Sequence, residues 1–137
     1  MDVPLIILDT DFGPDYDDVG AVALLHCAVD NGEAEILSTI VSNRHPLSAP
    51  CLSIVNAYYN RPDIPIGIPK KEARSIGSWE NWLEMVYESY PHRLLSTQNI
   101  PDAVEVYRKI LSEAEDQSIT IVTIGFFTNL YYLLQYL

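Results

Sequence analysis

The chain has 137 residues, of which 48% are hydrophobic and 20% are charged. This length and balance are typical of one folded domain and exclude a disordered chain. The formal net charge of −11 argues against nucleic acid or an anionic membrane surface as a partner, because both bind basic patches. A cation and a neutral polar small molecule are the partners that we expect instead.

The N-terminus and the cysteines predict a cytoplasmic protein. Residues 1–4 include no basic side chain, and the apolar run that follows is too short for a signal peptide or a membrane span. Cys27 and Cys51 lie in apolar helical patterns and match neither a disulfide framework nor a zinc spacing. We therefore expect buried, reduced thiols and no membrane partner.

The first elements are a strand and a helix. A strand is predicted over residues 3–9, because a continuous apolar run that ends in polar residues is typical of a buried parallel strand. A helix is predicted over Asp17–Asn31, where Asn31-Gly32 is a suitable stop. Its predicted apolar face consists of Val19, Ala23, Leu24 and Cys27.

The rest of the chain continues the alternation of strands and helices. The further predicted elements are a strand over 34–41, a helix over 48–59, a short strand over 64–69, an acidic aromatic helix over 79–90, a helix over 103–116, a strand over 118–124 and the first turns of a helix over 130–137. This order predicts an α/β fold with an open, mostly parallel, Rossmann-like sheet and helices on both faces. One domain is expected to span residues 1–137.

The segment 130–137 is strongly apolar and ends without a helix cap. An apolar element of this kind needs a surface to cover it. It packs on its own domain or on another copy, or the chain is the front part of a longer fold. We expect a fold that is incomplete at the C-terminus and a protein that forms a homo-oligomer.

Five aspartates lie at or just after the end of the first predicted strand. They are Asp9, Asp11, Asp15, Asp17 and Asp18. Like charges this close repel each other unless a cation joins them or they lie fully in water. Calcium and magnesium bind such oxygen ligands, so a metal site at this strand end is predicted. The competing interpretation is a solvated acidic turn in which Asp17 caps the helix.

Polar residues also follow two other predicted strands. Asn43 follows the second strand, and Thr128-Asn129 follows the last one. Ligands of open parallel sheets bind beyond the carboxyl ends of the strands, so these residues are expected to share one site with the aspartates. Asn43 is a candidate for binding a substrate hydroxyl or a plain turn residue. Thr128 is a candidate metal ligand through its carbonyl, or a helix cap.

Four features in chain order resemble the inosine–uridine-preferring nucleoside hydrolase family. They are Asp9-Thr10-Asp11, the Asp17-Asp18 pair before an apolar helix, Asn43, and Gly125-Phe126-Phe127-Thr128-Asn129. The family signature is Asp-Thr-Asp-Pro-Gly-x-Asp-Asp. This chain has two more residues before the aspartate pair, so strict counting would align Asp15 and Tyr16 instead. The family hydrolyses the N-glycosidic bond of ribonucleosides with a bound calcium ion.

The resemblance implies a role for each matching residue. Asp11 would ligate calcium and act as general base on a metal-bound water. Asp18 and the main-chain carbonyl of Thr128 would be further calcium ligands, while Asp17 and Asn43 would bind ribose hydroxyls. The substrate would be a ribonucleoside. In the family, the last calcium-ligating aspartate and the groups that recognise the nucleobase lie beyond the length of this chain.

Two alternatives stay open. A haloacid-dehalogenase-like phosphatase also places Asp-x-Asp after an apolar strand, and its first carboxylate attacks phosphorus. Asp9 and Asp11 fit that spacing, but the Asp17-Asp18 pair and Asn43 have no role in it. The other alternative is an inactive fragment that binds metal and ribose without turnover.

Overall fold

A computed structural model describes residues 3–94 and 97–135. The strands in these ranges are β1 (Leu5–Thr10), β2 (Glu35–Val41), β3 (Ile66–Gly67) and β4 (Ile119–Thr123). The helices are α1 (Asp17–Asp30), α2 (Ser48–Tyr58), α3 (Trp82–Ser89), α4 (Ala103–Ser112) and α5 (Thr128–Leu134), and a 3-10 turn at Trp79–Asn81 precedes α3.

The four strands form one open, parallel sheet in the order β3-β2-β1-β4. The predicted parallel α/β fold is therefore confirmed. The chain places β2 and β3 on one side of β1 and then crosses to place β4 on the other side. Ligands of open α/β sheets bind where the strand order reverses, which in this sheet is the gap between the carboxyl ends of β1 and β4.

Helices cover both faces of the sheet, as predicted. Successive side chains of a strand point to opposite faces, and neighbouring residues of β1 enter different cores. Leu8 packs with Val22 of α1 and Leu52 of α2. Ile7 packs with Tyr107 of α4, and partly buried residues of α5 join that second core.

The start of α4 and the end of α1 have local causes. Asp102 caps α4, because its side chain accepts a hydrogen bond from the Val104 amide at 2.9 Å. Helix α1 ends before Gly32, whose φ of +71° is a left-handed conformation that glycine adopts without strain. The predicted stop of α1 is confirmed.

The predicted apolar face of α1 is correct only in part, because Val19 packs against the core whereas Leu24 and Cys27 are exposed. The buried residues of this helix are Asp18, Val22 and His26, which recur every four residues, whereas Leu24 is 73% exposed. Polar residues are buried here because the fold gives them partners, so hydrophobicity alone did not identify the most buried residues of the helix. Cys27 is exposed, contrary to our expectation, while the predicted burial of Cys51 is confirmed.

Several predicted boundaries also need correction. Strand β3 has two residues rather than six, and α4 ends at Ser112 rather than Asp116. The helix predicted over 79–90 breaks at Glu80 and Asn81, which both have positive φ angles. Helix α5 begins at Thr128, two residues earlier than predicted, and residues 136 and 137 lie outside the described ranges.

The two edges of the sheet differ. Strand β3 is short and is flanked by Pro65 and Pro69, which limit further pairing. Strand β4 forms the other edge, and Val122 and the adjacent Ile124 are 38% and 41% exposed. Within residues 3–94 and 97–135, no helix has the length and apolar character that crossing a membrane requires.

Candidate functional site

The carboxyl ends of β1, β2 and β4 meet at one edge of the sheet. The Ser42 amide donates to the Thr10 carbonyl at 2.8 Å, and the Ile124 amide donates to the Asp9 carbonyl at 2.8 Å. The Phe126 amide donates to the Ser42 hydroxyl at 3.0 Å. The predicted convergence of these strand ends is therefore confirmed.

Gly125 allows the chain after β4 to approach β1 closely. A Cβ atom at this position would lie 2.3 Å from the Asp11 amide nitrogen and 2.5 Å from the Ser42 hydroxyl oxygen. Neither distance is possible for real atoms without a shift of the backbone. A glycine is required here because any side chain would separate the two strand ends.

The acidic loop between β1 and α1 brings three carboxylates together. Asp15, Asp17 and Asp18 each offer an oxygen, and these oxygens lie within 4.8 Å of one another. An all-oxygen, anionic donor set fits a hard divalent cation such as calcium. Asp15 was not among the ligands inferred by resemblance, although strict counting of the signature points to it.

Asp18 is buried, and its surroundings favour the protonated form of its carboxyl. Burial raises the pKa of Asp18 to about 7, and the charges of Asp11, Asp17 and Asp15 add to the effect. The Thr10 hydroxyl opposes it by donating a 2.5 Å hydrogen bond to Asp18. A bound cation would favour the charged form.

The other carboxyls of the loop also influence each other. Burial raises the pKa of Asp11, which is half buried, and the charge of Asp17 raises it further. A hydrogen bond between Asp15 and Asp17 raises the pKa of Asp15 and lowers that of Asp17. Asp11 lies outside the three-carboxylate group but close enough for its charge to raise the pKa of Asp15 and Asp18.

Two aromatic residues attach the acidic loop to the body of the protein. The Trp82 indole nitrogen donates to the Gly13 carbonyl at 2.8 Å, and its ring meets Phe12 edge-on at a centroid distance of 5.4 Å. The Trp79 amide donates to the Pro14 carbonyl at 3.0 Å. These contacts hold the loop through its backbone and leave Asp15 and Asp17 exposed.

Asn43 is buried and makes internal contacts. Its amide nitrogen donates to the Ile76 carbonyl at 2.9 Å, and its oxygen accepts from the Ile76 amide at 2.9 Å and from the His45 amide at 3.3 Å. These bonds support the interpretation of Asn43 as a structural turn residue. Its role in binding ribose stays a prediction, since a hydroxyl would have to compete with Ile76.

Thr128 is the first residue of α5 and is partly buried. The residue that caps α5 is Phe127, so the alternative of Thr128 as the helix cap is wrong. Its place after β4 puts it on the same edge of the sheet as the acidic loop. The role of its carbonyl as a metal ligand stays a prediction.

Asp9 belongs to a buried polar cluster that the sequence patterns did not indicate. Its side chain is 0% exposed, and its Oδ2 atom accepts from the Tyr107 hydroxyl at 2.8 Å and from the Asn129 amide at 3.1 Å. Burial raises the pKa of Asp9 to about 6, although both hydrogen bonds lower it. Tyr107 lies 98 positions away in the chain, and no local pattern signals the contact.

Comparison with known proteins does not assign the chain to a family. No protein-family model matches it, and no protein of curated function matches it either. The resemblance to nucleoside hydrolases therefore depends on the four motif features of the sequence.

Proposed function

We propose that this protein is a calcium-dependent hydrolase that cleaves the N-glycosidic bond of ribonucleosides and releases ribose and the free base. The observation that supports this most strongly is the grouping of Asp15, Asp17 and Asp18 at the carboxyl end of β1. That position adjoins the gap between β1 and β4, where open parallel sheets bind their ligands.

The roles proposed for the residues follow from their positions. Asp18 and Asp11, with the Thr128 carbonyl, are the proposed calcium ligands, and Asp15 adds a carboxylate beside Asp18. When bound, calcium would hold the attacking water and the ribose diol together and make that water more acidic. Asp11 would accept the proton of that water as the general base.

Asp17 would bind the ribose, and the carboxylates of the loop would stabilise the positive charge that develops on the sugar. Asp17 is exposed, so its carboxylate is available to accept hydrogen bonds from ribose hydroxyls. Glycoside hydrolysis passes through an oxocarbenium-like transition state, and nearby carboxylates stabilise the positive charge that develops on the sugar. In this proposal Asn43 lies at the margin of the ribose site.

The proposal also covers the charge of the substrate, the cellular location and the oligomeric state. A neutral ribonucleoside is compatible with a protein of net charge −11, whereas a nucleic-acid backbone is not. We place the activity in the cytoplasm, and we propose that the protein works as a homo-oligomer.

The phosphatase alternative is less well supported because it needs Asp9 as a nucleophile. Asp9 is 0% exposed and its Oδ2 already accepts two hydrogen bonds. A phosphorus atom could reach this carboxylate only if the residues that cover it moved. We therefore favour the nucleoside hydrolase.

The test is a reducing-sugar assay on inosine and uridine, with calcium and with a chelator. We expect calcium-dependent ribose release from the wild type. Asp11→Ala should lower it by about 100-fold or more, because it removes both a ligand and the general base. Asp116→Ala is the matched control, since it removes one exposed carboxylate from the turn that leads into β4.

Other outcomes would point to the alternatives. Calcium binding without ribose release would favour the inactive fragment. Release of phosphate from a phosphomonoester, with no ribose from either nucleoside, would favour the phosphatase. Ribose release that is equal in Asp11→Ala and the wild type would contradict the proposed mechanism.

A further inference from the structure

We propose that Asp9, Tyr107 and Asn129 form a positioning unit that sets the start of α5, and hence Thr128, relative to Asp11. This inference rests on the proposed function, because it takes Thr128 and Asp11 as cation ligands. The three residues of the unit act through those ligands. They are positioning residues and touch neither the ion nor the substrate.

The unit is enclosed in the core on the α4/α5 side of the sheet. Asp9 and Tyr107 are 0% exposed, and Asn129 is 1% exposed. A buried carboxylate is costly unless donors satisfy both of its oxygens. Within residues 3–94 and 97–135, Asp9 forms no ion pair, and its Oδ1 atom has no hydrogen-bond partner. The charge therefore adds little to stability, so the contacts that the carboxylate makes are the better explanation for its presence.

Those contacts join four elements at one point. The Asn129 amide nitrogen donates both to Asp9 Oδ2 at 3.1 Å and to the Val41 carbonyl at 3.0 Å. The second residue of α5 is thereby fixed to β1 and to the end of β2. The Tyr107 hydroxyl donates a 2.8 Å hydrogen bond to the same Asp9 oxygen, and this bond connects α4 to β1 as well.

The two proposed ligands lie next to this point in the chain. Thr128 directly precedes Asn129, and Asp11 follows Asp9 by two residues. Calcium requires its oxygen ligands at 2.3–2.6 Å, so the spacing between α5 and the end of β1 decides whether both oxygens can reach one ion. Loss of a residue that orients a metal ligand costs about 10- to 100-fold in metal affinity.

The experiment uses terbium, a luminescent hard cation that replaces calcium at oxygen sites. Trp82 contacts the acidic loop, so its excitation can sensitise a terbium ion bound there. Tyr107→Phe removes a single hydroxyl from α4. Tyr59→Phe is the matched control, because Tyr59 stacks on His26 on the opposite side of the sheet. Displacement of terbium by calcium checks that both ions bind the same site.

We expect Tyr107→Phe to bind terbium about tenfold more weakly than the wild type. Luminescence lifetimes in H2O and D2O should show additional coordinated water, because a protein ligand has withdrawn. Tyr59→Phe should match the wild type in both measurements. Asp9→Asn keeps the size of the side chain but not its pattern of acceptors, and it should change affinity and hydration in the same direction as Tyr107→Phe.

The inference is overturned if wild type, Tyr107→Phe and Asp9→Asn bind terbium with equal affinity and equal hydration. A fall in the free energy of unfolding without those changes would mean that the three residues are only structural. If the wild type itself binds no terbium or calcium, the proposed function fails and the inference fails with it. Ion binding by the wild type therefore distinguishes failure of this inference from failure of the proposed function.

Discussion

The surroundings of Asp18 favour the protonated form of its carboxyl. It is buried beside the Thr10 hydroxyl, and it lies among other carboxylates. Both burial and the neighbouring charges favour the protonated form, while a cation ligand must be charged. Under the proposed function, protons and calcium would compete for Asp18, and we expect calcium affinity to increase as pH rises through about 7.

The same residue makes the stability of the ion-free protein depend on pH. The pKa values of Asp18 and Asp9, about 7 and about 6, lie above the ordinary value of 3.8. Between pH about 4 and 7 the folded state thus binds more protons than the unfolded state. The free energy of unfolding should decrease as pH rises across this range and level off above it. One pKa unit corresponds to about 1.4 kcal/mol, so the decrease should amount to several kcal/mol.

Urea denaturation at a series of pH values, in the presence of a chelator, measures this decrease. Asp18→Asn is the informative variant, because the amide resembles the protonated carboxyl and keeps an acceptor for Thr10. It should be more stable than the wild type at pH 7.5, should show a smaller decrease with pH, and should not bind calcium. A wild type whose stability is unchanged from pH 4 to 7 would contradict the prediction.

Sequence patterns showed where the candidate site lies better than they showed its individual contacts. The aspartates after β1 and the polar residues after β2 and β4 are visible as local patterns. The partners of Asp9 lie 98 and 120 positions away, and the partner of Asn43 lies 33 positions away. Such contacts arise from the packing of whole elements, so residue types near one position could not predict them.

At the level of elements, the contact between β1 and the loop after β4 depends on Gly125. Gly125→Ala would place a Cβ atom 2.3 Å from the Asp11 amide nitrogen, so the two strand ends must separate. We expect a loss of about 1–3 kcal/mol in the free energy of unfolding and weaker calcium binding. Urea denaturation and calorimetric titration with calcium measure the two effects.

Gly20→Ala in α1 is the control for this substitution. No atom lies within 4 Å of the Cβ that it adds, and alanine is favoured over glycine inside a helix by up to about 1 kcal/mol. The two identical chemical changes should therefore have opposite effects on stability. Equal stability of Gly125→Ala and the wild type would show that the strand ends are not in close contact.

The elements themselves were largely predictable, because long apolar runs and helical periodicity are local signals. The errors have physical causes. Strand β3 pairs with β2 through only two residues, Ile66 and Gly67, so most of its apolar run stays outside the sheet. Glu80 and Asn81 both adopt left-handed conformations, which asparagine tolerates and glutamate does not favour, so the local sequence did not indicate the break. The buried face of α1 includes His26, which the Asn56 side chain satisfies at 2.9 Å.

At the level of the whole molecule, the order of the strands determines which edge is open. The segment 118–124 contains neither a charged residue nor proline, and β4 forms the sheet edge with Val122 partly exposed. Unprotected edge strands pair with other strands. We therefore expect the protein to self-associate as its concentration increases, and Val122→Lys should reduce this association.

Sedimentation velocity over a range of concentrations tests this expectation. Leu24→Lys is the control, because Leu24 is an exposed apolar residue of α1 and its replacement adds the same charge away from the edge. Association should persist in Leu24→Lys and decrease in Val122→Lys. A wild type that remains monomeric at all concentrations would contradict the expected homo-oligomer.

The two tryptophan contacts of the acidic loop involve its backbone and not its carboxylates. Trp82 and Trp79 bind the loop through the carbonyl oxygens of Gly13 and Pro14, and neither contact uses an aspartate side chain. Asp15 is exposed, so we expect its exchange for asparagine, glutamate or histidine to have little effect on the path of the backbone. If the proposed cation site is correct, such an exchange should change which ion the loop prefers while the fold stays the same.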